Sequence, residues 1–199
     1  MEAFEHIAKI FLESEGYAVS TNVKFPVRIR TRKQAYEEHQ VHGYEIDLVA
    51  CRADTLLLGS VKSFLGSYGV DRQFFHAIAD PSKKLKGDKF FNDPAIAEGI
   101  LSDASARFGY PRARIFSALF VGKFRPGHEA DIRRHLESTV VGAGPIRLFD
   151  LSTIMDGVII EAQKKTYRDD PVIVAVKSLL ALDRVKGIHS EFPIEEDED

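Results

Sequence analysis

Asp47, Ser60 and Lys62 stand in two neighbouring stretches whose residue types could do chemistry together. The stretches are Gly43-Tyr44-Glu45-Ile46-Asp47-Leu48-Val49-Ala50 and Thr55-Leu56-Leu57-Leu58-Gly59-Ser60-Val61-Lys62, joined by Cys51-Arg52-Ala53-Asp54. Both are of strand length and rich in Leu, Ile and Val, and the break between them is polar, which predicts a β-hairpin. Asp47 interrupts the first run and Lys62 closes the second. A carboxylate and an ammonium facing the same way suit phosphodiester hydrolysis. The carboxylate can hold Mg²⁺, which takes one or two protein carboxylates and fills its remaining positions with water and phosphate oxygens. Such a cation polarises the phosphoryl group and acidifies a bound water, and the lysine stabilises developing charge or orients that water. The plain alternative is a pair of strand-end charges reaching solvent.

Strand side chains alternate between faces. Glu45, Asp47 and Val49 therefore share one face of the first strand, and Leu58, Ser60 and Lys62 share one face of the second. A two-residue turn at Arg52-Ala53 would pair Cys51 with Asp54, set Asp47 opposite Leu58, and leave Ser60 diagonal to Asp47. The polar positions then fall together, with Ile46, Leu48, Ala50, Leu57 and Val61 on the other face. A one-residue slip would destroy this agreement.

The arrangement resembles the PD-(D/E)xK nucleases, the restriction-endonuclease-like superfamily, in its Mrr-type and Holliday-junction-resolvase-like branches. In that pattern a helix carrying a Glu precedes a strand, a second strand with a metal-binding Asp, and a third strand ending (D/E)-x-K. Here Phe4-Glu5-His6-Ile7-Ala8 and Glu15-Gly16-Tyr17-Ala18-Val19 look like the helix and first strand. Glu45-Ile46-Asp47-Leu48-Val49 looks like the Asp strand, and Ser60-Val61-Lys62 occupies the (D/E)-x-K place. The resemblance covers about the first third of the chain well. It implies a Mg²⁺- or Mn²⁺-dependent phosphodiesterase, an endonuclease on DNA, with Asp47 on the metal, Lys62 assisting the water, and Glu5 completing the metal shell. It also allows a homodimer. Ser60 departs from the pattern, because a neutral hydroxyl is a poorer ligand for a hard cation than a carboxylate. Three readings follow: Glu5 or Glu45 supplies the missing charge; the acid has moved to the following helix, with Asp71 nearest; or the fold has lost its metal and binds nucleic acid or a protein partner without cleaving.

The elements that must position these residues are read from periodicity. Residues 2–14 form a helix with Phe4, Ile7, Ala8, Phe11 and Leu12 as its apolar stripe, ended by Gly16. Residues 17–30 form a strand in which Pro26 argues for an edge or bulge. The arm it begins is basic through Lys24, Arg28, Arg30, Arg32 and Lys33, and residues 31–42 read as a loop that could grip phosphates. His39 and His42 in that loop have a possible metal-ligand spacing. After Lys62, residues 63–69 are small and Gly-rich, and 70–80 read as a helix with Val70, Phe74, Ala77 and Ile78 inward and Gln73 able to approach the site. Lys83, Lys84, Lys86 and Lys89 make a second basic cluster, followed by Phe90 and Phe91, a mix that suits nucleic acid or a solvated turn with core rings behind it. Asp93-Pro94 opens a helix to Phe108. A central strand at 115–121, a helix at 126–139, a short strand at 146–151, a helix capped by Ser152 and a last helix from Asp170-Pro171 to about residue 184 complete the order. The fold class is α/β: a mixed β-sheet flanked by helices, with a restriction-endonuclease-like core (helix, three strands, helix, strand) and extra C-terminal helices.

The 199 residues carry 44% hydrophobic and 29% charged side chains, ordinary for a soluble globular chain. We expect one nuclease-like domain over 1–190 and an acidic, disordered tail over 191–199. No apolar run is long enough to span a membrane, and the first residues do not read as a signal peptide, so a cytoplasmic location with no membrane partner is expected. A single cysteine, Cys51, excludes an internal disulfide and argues against a thiolate zinc site. The formal charge of −3 excludes a polycation, so nucleic acid must meet a local basic patch.

Overall fold

The computed structural model describes residues 2–30, 39–84, 87–166 and 168–182, with Arg30 described in its backbone only. Helix α1 (Ala3–Ser14) leads into β1 (Ala18–Arg30), β2 (His39–Arg52) and β3 (Thr55–Lys62). Two 3₁₀ turns follow, at Arg72–Phe74 and His76–Ile78. Then come α2 (Lys89–Asn92), α3 (Pro94–Phe108), β4 (Ile115–Val121), α4 (Glu129–Ser138), β5 (Arg147–Asp150), α5 (Leu151–Gln163) and α6 (Pro171–Ala181). The five strands form one sheet in the order β1-β2-β3-β4-β5. The first three run antiparallel, whereas β3, β4 and β5 are mutually parallel. The expected mixed sheet flanked by helices is therefore what forms.

Helices cover both faces. Phe4, Phe11, Val158 and Ile173 from α1, α5 and α6 pack on Leu48, Ala50, Leu57, Val61 and Phe120. Phe90, Ile100 and Ile132 from α2, α3 and α4 pack on Val49, Leu58, Ile115 and Leu119 on the other face. β3 and β4 are buried almost throughout because they lie between these two layers, as parallel strands do. Pro26 lies on β1, the edge strand, where its missing N–H is tolerated.

The hairpin turn lies at Ala53-Asp54, one residue later than expected, with Arg52 paired to Thr55. A two-residue turn displaced by one shifts the register by two, so the parity survives. Ser60 is brought beside Asp47 instead of diagonal to it: the ladder reaches Leu48↔Gly59, and the next pair in step would be Asp47 and Ser60. Alternation nevertheless skips at Asp47. Ile46 joins the face of Val49, while Leu48 and Ala50 lie on the opposite face, so the expected grouping of Ile46 with Leu48 is corrected. Across from Asp47, between the pairs Thr21↔Leu48 and Val23↔Ile46, stands Asn22 with φ +53°. Asn tolerates that left-handed conformation better than most side chains, and the β2–β3 ladder ends at the same level, with Leu48↔Gly59 its last pair.

Other boundaries differ for local reasons. His39 and His42 lie on β2, not in a loop, and are exposed. The helix expected over 70–80 does not form. Val70 bridges to Phe124, the Asp71 carboxylate accepts the Gln73 N–H, and Asn92 bonds the Phe74 carbonyl and the His76 N–H. These tertiary partners take the backbone groups that a helix would pair. Ala77, expected inward, is exposed. Helix α5 begins at Leu151, with the Asp150 carboxylate, not Ser152, as its cap. Arg32, Lys33, Lys86, the 191–199 tail and the end of the last expected helix lie outside the described residues.

Candidate functional site

The site forms where β2 parts from β3. The β2–β3 ladder ends at Leu48↔Gly59, and beyond it the Val61 N–H donates to Asp47 Oδ2 at 2.6 Å. The carboxylate thus closes the splayed end of the ladder. Ser60, next to it and 1% exposed, places its Oγ 3.2 Å from Asp47 Oδ2 and 2.7 Å from Asp88 Oδ2. Lys62 Nζ lies 3.8 Å from Asp88 Oδ2, with a quarter of each side chain exposed. Asp47, Ser60 and Lys62 are brought together as the spacing required, and the group that joins them is Asp88.

Asp88 is the functional candidate that sequence reasoning misses, because it sits among lysines in what reads as a solvated basic turn. Its signal was present: an Asp just before Lys89-Phe90-Phe91 is an N-cap pattern. Asp88 Oδ1 accepts the Phe90 N–H at 2.9 Å and caps α2, leaving Oδ2 for Ser60 and Lys62. The position is fixed from behind. Asn92 Nδ2 donates to the carbonyls of Asp88 (2.7 Å) and Phe74 (2.8 Å). A Cβ on Gly87 would stand 2.2 Å from the Phe74 carbonyl oxygen, so only glycine lets the chain pass so close. Phe90 and Phe91 are core residues that anchor α2 rather than a stacking surface.

The electrostatics are those of two crowded acids. Burial pushes the Asp47 carboxyl above its ordinary range; the Val61 N–H and the Lys62 ammonium pull it back, Asp88 pushes it up again, and the Ser60 hydroxyl lowers it slightly. Ser60 has one hydroxyl hydrogen and two carboxylate oxygens within reach. It can donate to only one of them at a time. The cluster is therefore short of positive charge by one proton or one cation. Two carboxylates with a hydroxyl between them match the donor set of a Mg²⁺ that keeps several waters. No group of three or more His, Cys, Asp or Glu is gathered among the described residues, so any such cation would rest on this pair.

The remaining candidates lie elsewhere. Glu5 accepts the Glu2 backbone N–H at 3.0 Å and closes a capping box at the start of α1. Glu45 is exposed and accepts from Asn22 Nδ2 at 3.2 Å. Asp71 is buried, pairs with Arg125 at 3.4 Å, and lines a cleft that also takes in Lys62. Arg28 is exposed on the edge strand β1, and Arg30 ends it. Lys83 and Lys84 are exposed in the turn ahead of Asp88, with Lys83 paired to Asp80.

No family model matches the chain. No curated protein matches it either. Among solved structures it is similar to the crystal structure of a protein of unknown function, AF1548, at 16% identity and a TM-score of 0.39, over 90% of this chain and 76% of that one. A likeness this loose carries nothing about chemistry, and the functional reading rests on the site itself.

Proposed function

We propose that this protein is a divalent-metal-dependent nucleic-acid phosphodiesterase, an endonuclease acting on DNA. The observation that carries the reading is the meeting of Asp47 and Asp88 at the Ser60 hydroxyl, with Lys62 beside them. It supports the view that the acid missing from position 60 is supplied by Asp88. Of the three openings left by the sequence, this is a moved acid, though not at Asp71.

Asp47 and Asp88 are the residues that would hold the cation, and Ser60 would keep their oxygens together. When bound, Mg²⁺ or Mn²⁺ supplies polarisation of the phosphoryl oxygens and an acidified water. Lys62 sets its ammonium at the mouth of the pair, where it offsets charge gathering on the phosphate and orients the attacking water. The half-buried Asp47 is oriented by the Val61 N–H, which limits reorganisation during the reaction.

The test is cleavage of linear, circular and branched DNA in Mg²⁺ or Mn²⁺ by the wild type and by Asp47→Ala, Lys62→Ala and Asp88→Asn. Metal-dependent cleavage that falls roughly 100-fold or more in each variant is expected, the scale on which such charge-stabilising groups act. No cleavage by the wild type, with salt-sensitive DNA binding intact, would replace the reading with a nuclease-like fold that binds without cutting.

A further inference from the structure

Lys62 faces a second feature, a cleft of about 440 Å³ lined by Lys62, Phe64, Tyr68, Asp71, Phe74 and Arg125 among others. The cleft lies at the carboxyl ends of β3 and β4, between the segments that leave them. Ligands of parallel sheets bind at such ends. We propose that it seats one unpaired nucleotide of the DNA substrate, with the base stacked on Tyr68 and the adjoining phosphate against Arg125. The inference rests on the phosphodiesterase reading and names its substrate class: single-stranded or branched DNA rather than continuous duplex.

Four observations carry it. Tyr68 is 84% exposed, the most exposed of the large apolar side chains among the described residues. The loop that displays Tyr68 is held stiffly. Gly122 donates to the Lys62 carbonyl, Val70 donates to the Lys123 carbonyl, Arg125 donates to the Val70 carbonyl, and Lys123 Nζ donates to the Ser67 carbonyl. Phe64 begins the loop at φ +43°, its ring edge-on to Phe74 with centroids 5.4 Å apart. Gly69 ends it at φ +89°, where a Cβ would lie 2.5 Å from the Phe124 backbone. These bonds fix the backbone that carries Tyr68, so a base stacking on the ring has only its side-chain rotamers to order.

The charge is also right for a phosphate. Arg125 is braced by Asp71 at 3.4 Å, yet about half its side chain stays open, and Lys62 reaches the same cleft. The volume lies within the range of about 300–1,000 Å³ that takes a small ligand, so it suits one nucleotide and not a base-paired helix. A base inside an intact duplex has its faces covered by its neighbours, and reaching Tyr68 would require paying its unstacking. An unpaired base has a free π-face, and stacking on an aromatic side chain accepts any base.

The chain has no tryptophan, so Tyr68→Trp installs a single reporter whose emission falls when a base stacks on it. This variant would be titrated in Ca²⁺ with a single-stranded oligonucleotide, with an oligonucleotide of equal length whose central nucleotides are abasic, and with blunt duplex. Saturable quenching by the single strand, little by the abasic strand and little by duplex is expected. In parallel, Tyr68→Ala should weaken single-strand binding about 5- to 150-fold, the worth of one stacked base, with Tyr68→Phe restoring it. Salt-sensitive binding of all three ligands without quenching, and with Tyr68→Ala binding like wild type, would overturn the stacking subsite while leaving the phosphodiesterase reading in place. Absence of binding by every ligand would overturn the subsite, and absence of metal-dependent cleavage with it would overturn the reading beneath.

Discussion

At position 60 a carboxylate would be the third acid in a nearly closed space, beside Asp47 and Asp88. A serine there satisfies Asp88 and keeps the cluster to two negative charges. The cost that remains falls on Asp47, whose carboxyl is raised chiefly by burial. A raised folded-state value means the folded protein binds a proton more readily than the unfolded chain. Ionised Asp47 therefore lowers stability above its raised pKa, and the cost disappears as pH falls toward the ordinary value of 3.8. Asp47→Asn, which retains an oxygen for the Val61 N–H, should accordingly melt higher than wild type at pH 7 without divalent cation. The gap should close as the pH approaches about 4, where the unfolded group also protonates. Adding Mg²⁺ should raise the wild-type melting temperature by mass action and leave the variant unmoved. Thermal melts across pH, with and without Mg²⁺, check all three; a wild type indifferent to Mg²⁺ would argue against a cation at the pair.

Asp88 also belongs to an element, because it caps α2. Asp88→Asn keeps a good cap and loses the charge, whereas Asp88→Ala loses both. The two should be equally poor in cleavage, yet Asp88→Ala should be less stable than Asp88→Asn by about 1 kcal/mol in urea unfolding. Equal stability would mean that the cap at Phe90 carries no weight. A similar split decides what was legible in the chain. β3 and β4 could be read because burial on both faces makes them continuous apolar runs, and α3 because Asp93-Pro94 and Gly109 mark its ends. Asp47, Ser60 and Lys62 could be aligned because strand parity survives a two-residue register shift. The Asp88 cap is marked locally, but its approach to Ser60 is not, since that depends on Asn92 and Gly87 holding the start of α2 against Phe74, contacts that no local pattern encodes. The stretch 70–80 failed for the same reason. Its apolar spacing is helical, but Val70, Phe74 and Phe75 are claimed by Phe124, Asn92 and the core.

At the scale of the whole molecule, the difficulty is charge. A chain of net −3 does not attract a polyanion in general, and Asp47 and Asp88 repel the phosphate that must lie against them. Attraction must come from local cations: beyond Lys62 and Arg125 at the cleft, Arg28 on the exposed edge strand and Lys83 and Lys84 ahead of Asp88 are described candidates. Five acids at 195–199 oppose them: without these the formal charge would rise from −3 to +2. Each phosphate neutralised by a bound cation contributes about 0.9 to the slope of log K against log salt. Arg28→Ala should therefore weaken DNA binding to a similar degree whatever the base sequence, and reduce that slope by about 1. Deleting residues 195–199 should strengthen binding at about 50 mM salt and have little effect near 1 M, where the screening length falls to about 3 Å. Fluorescence anisotropy over a salt series measures both. A slope unchanged by Arg28→Ala would remove the β1 edge from the binding surface and leave the Lys83-Lys84 turn, shortly ahead of Asp88, as the place where the backbone is gripped.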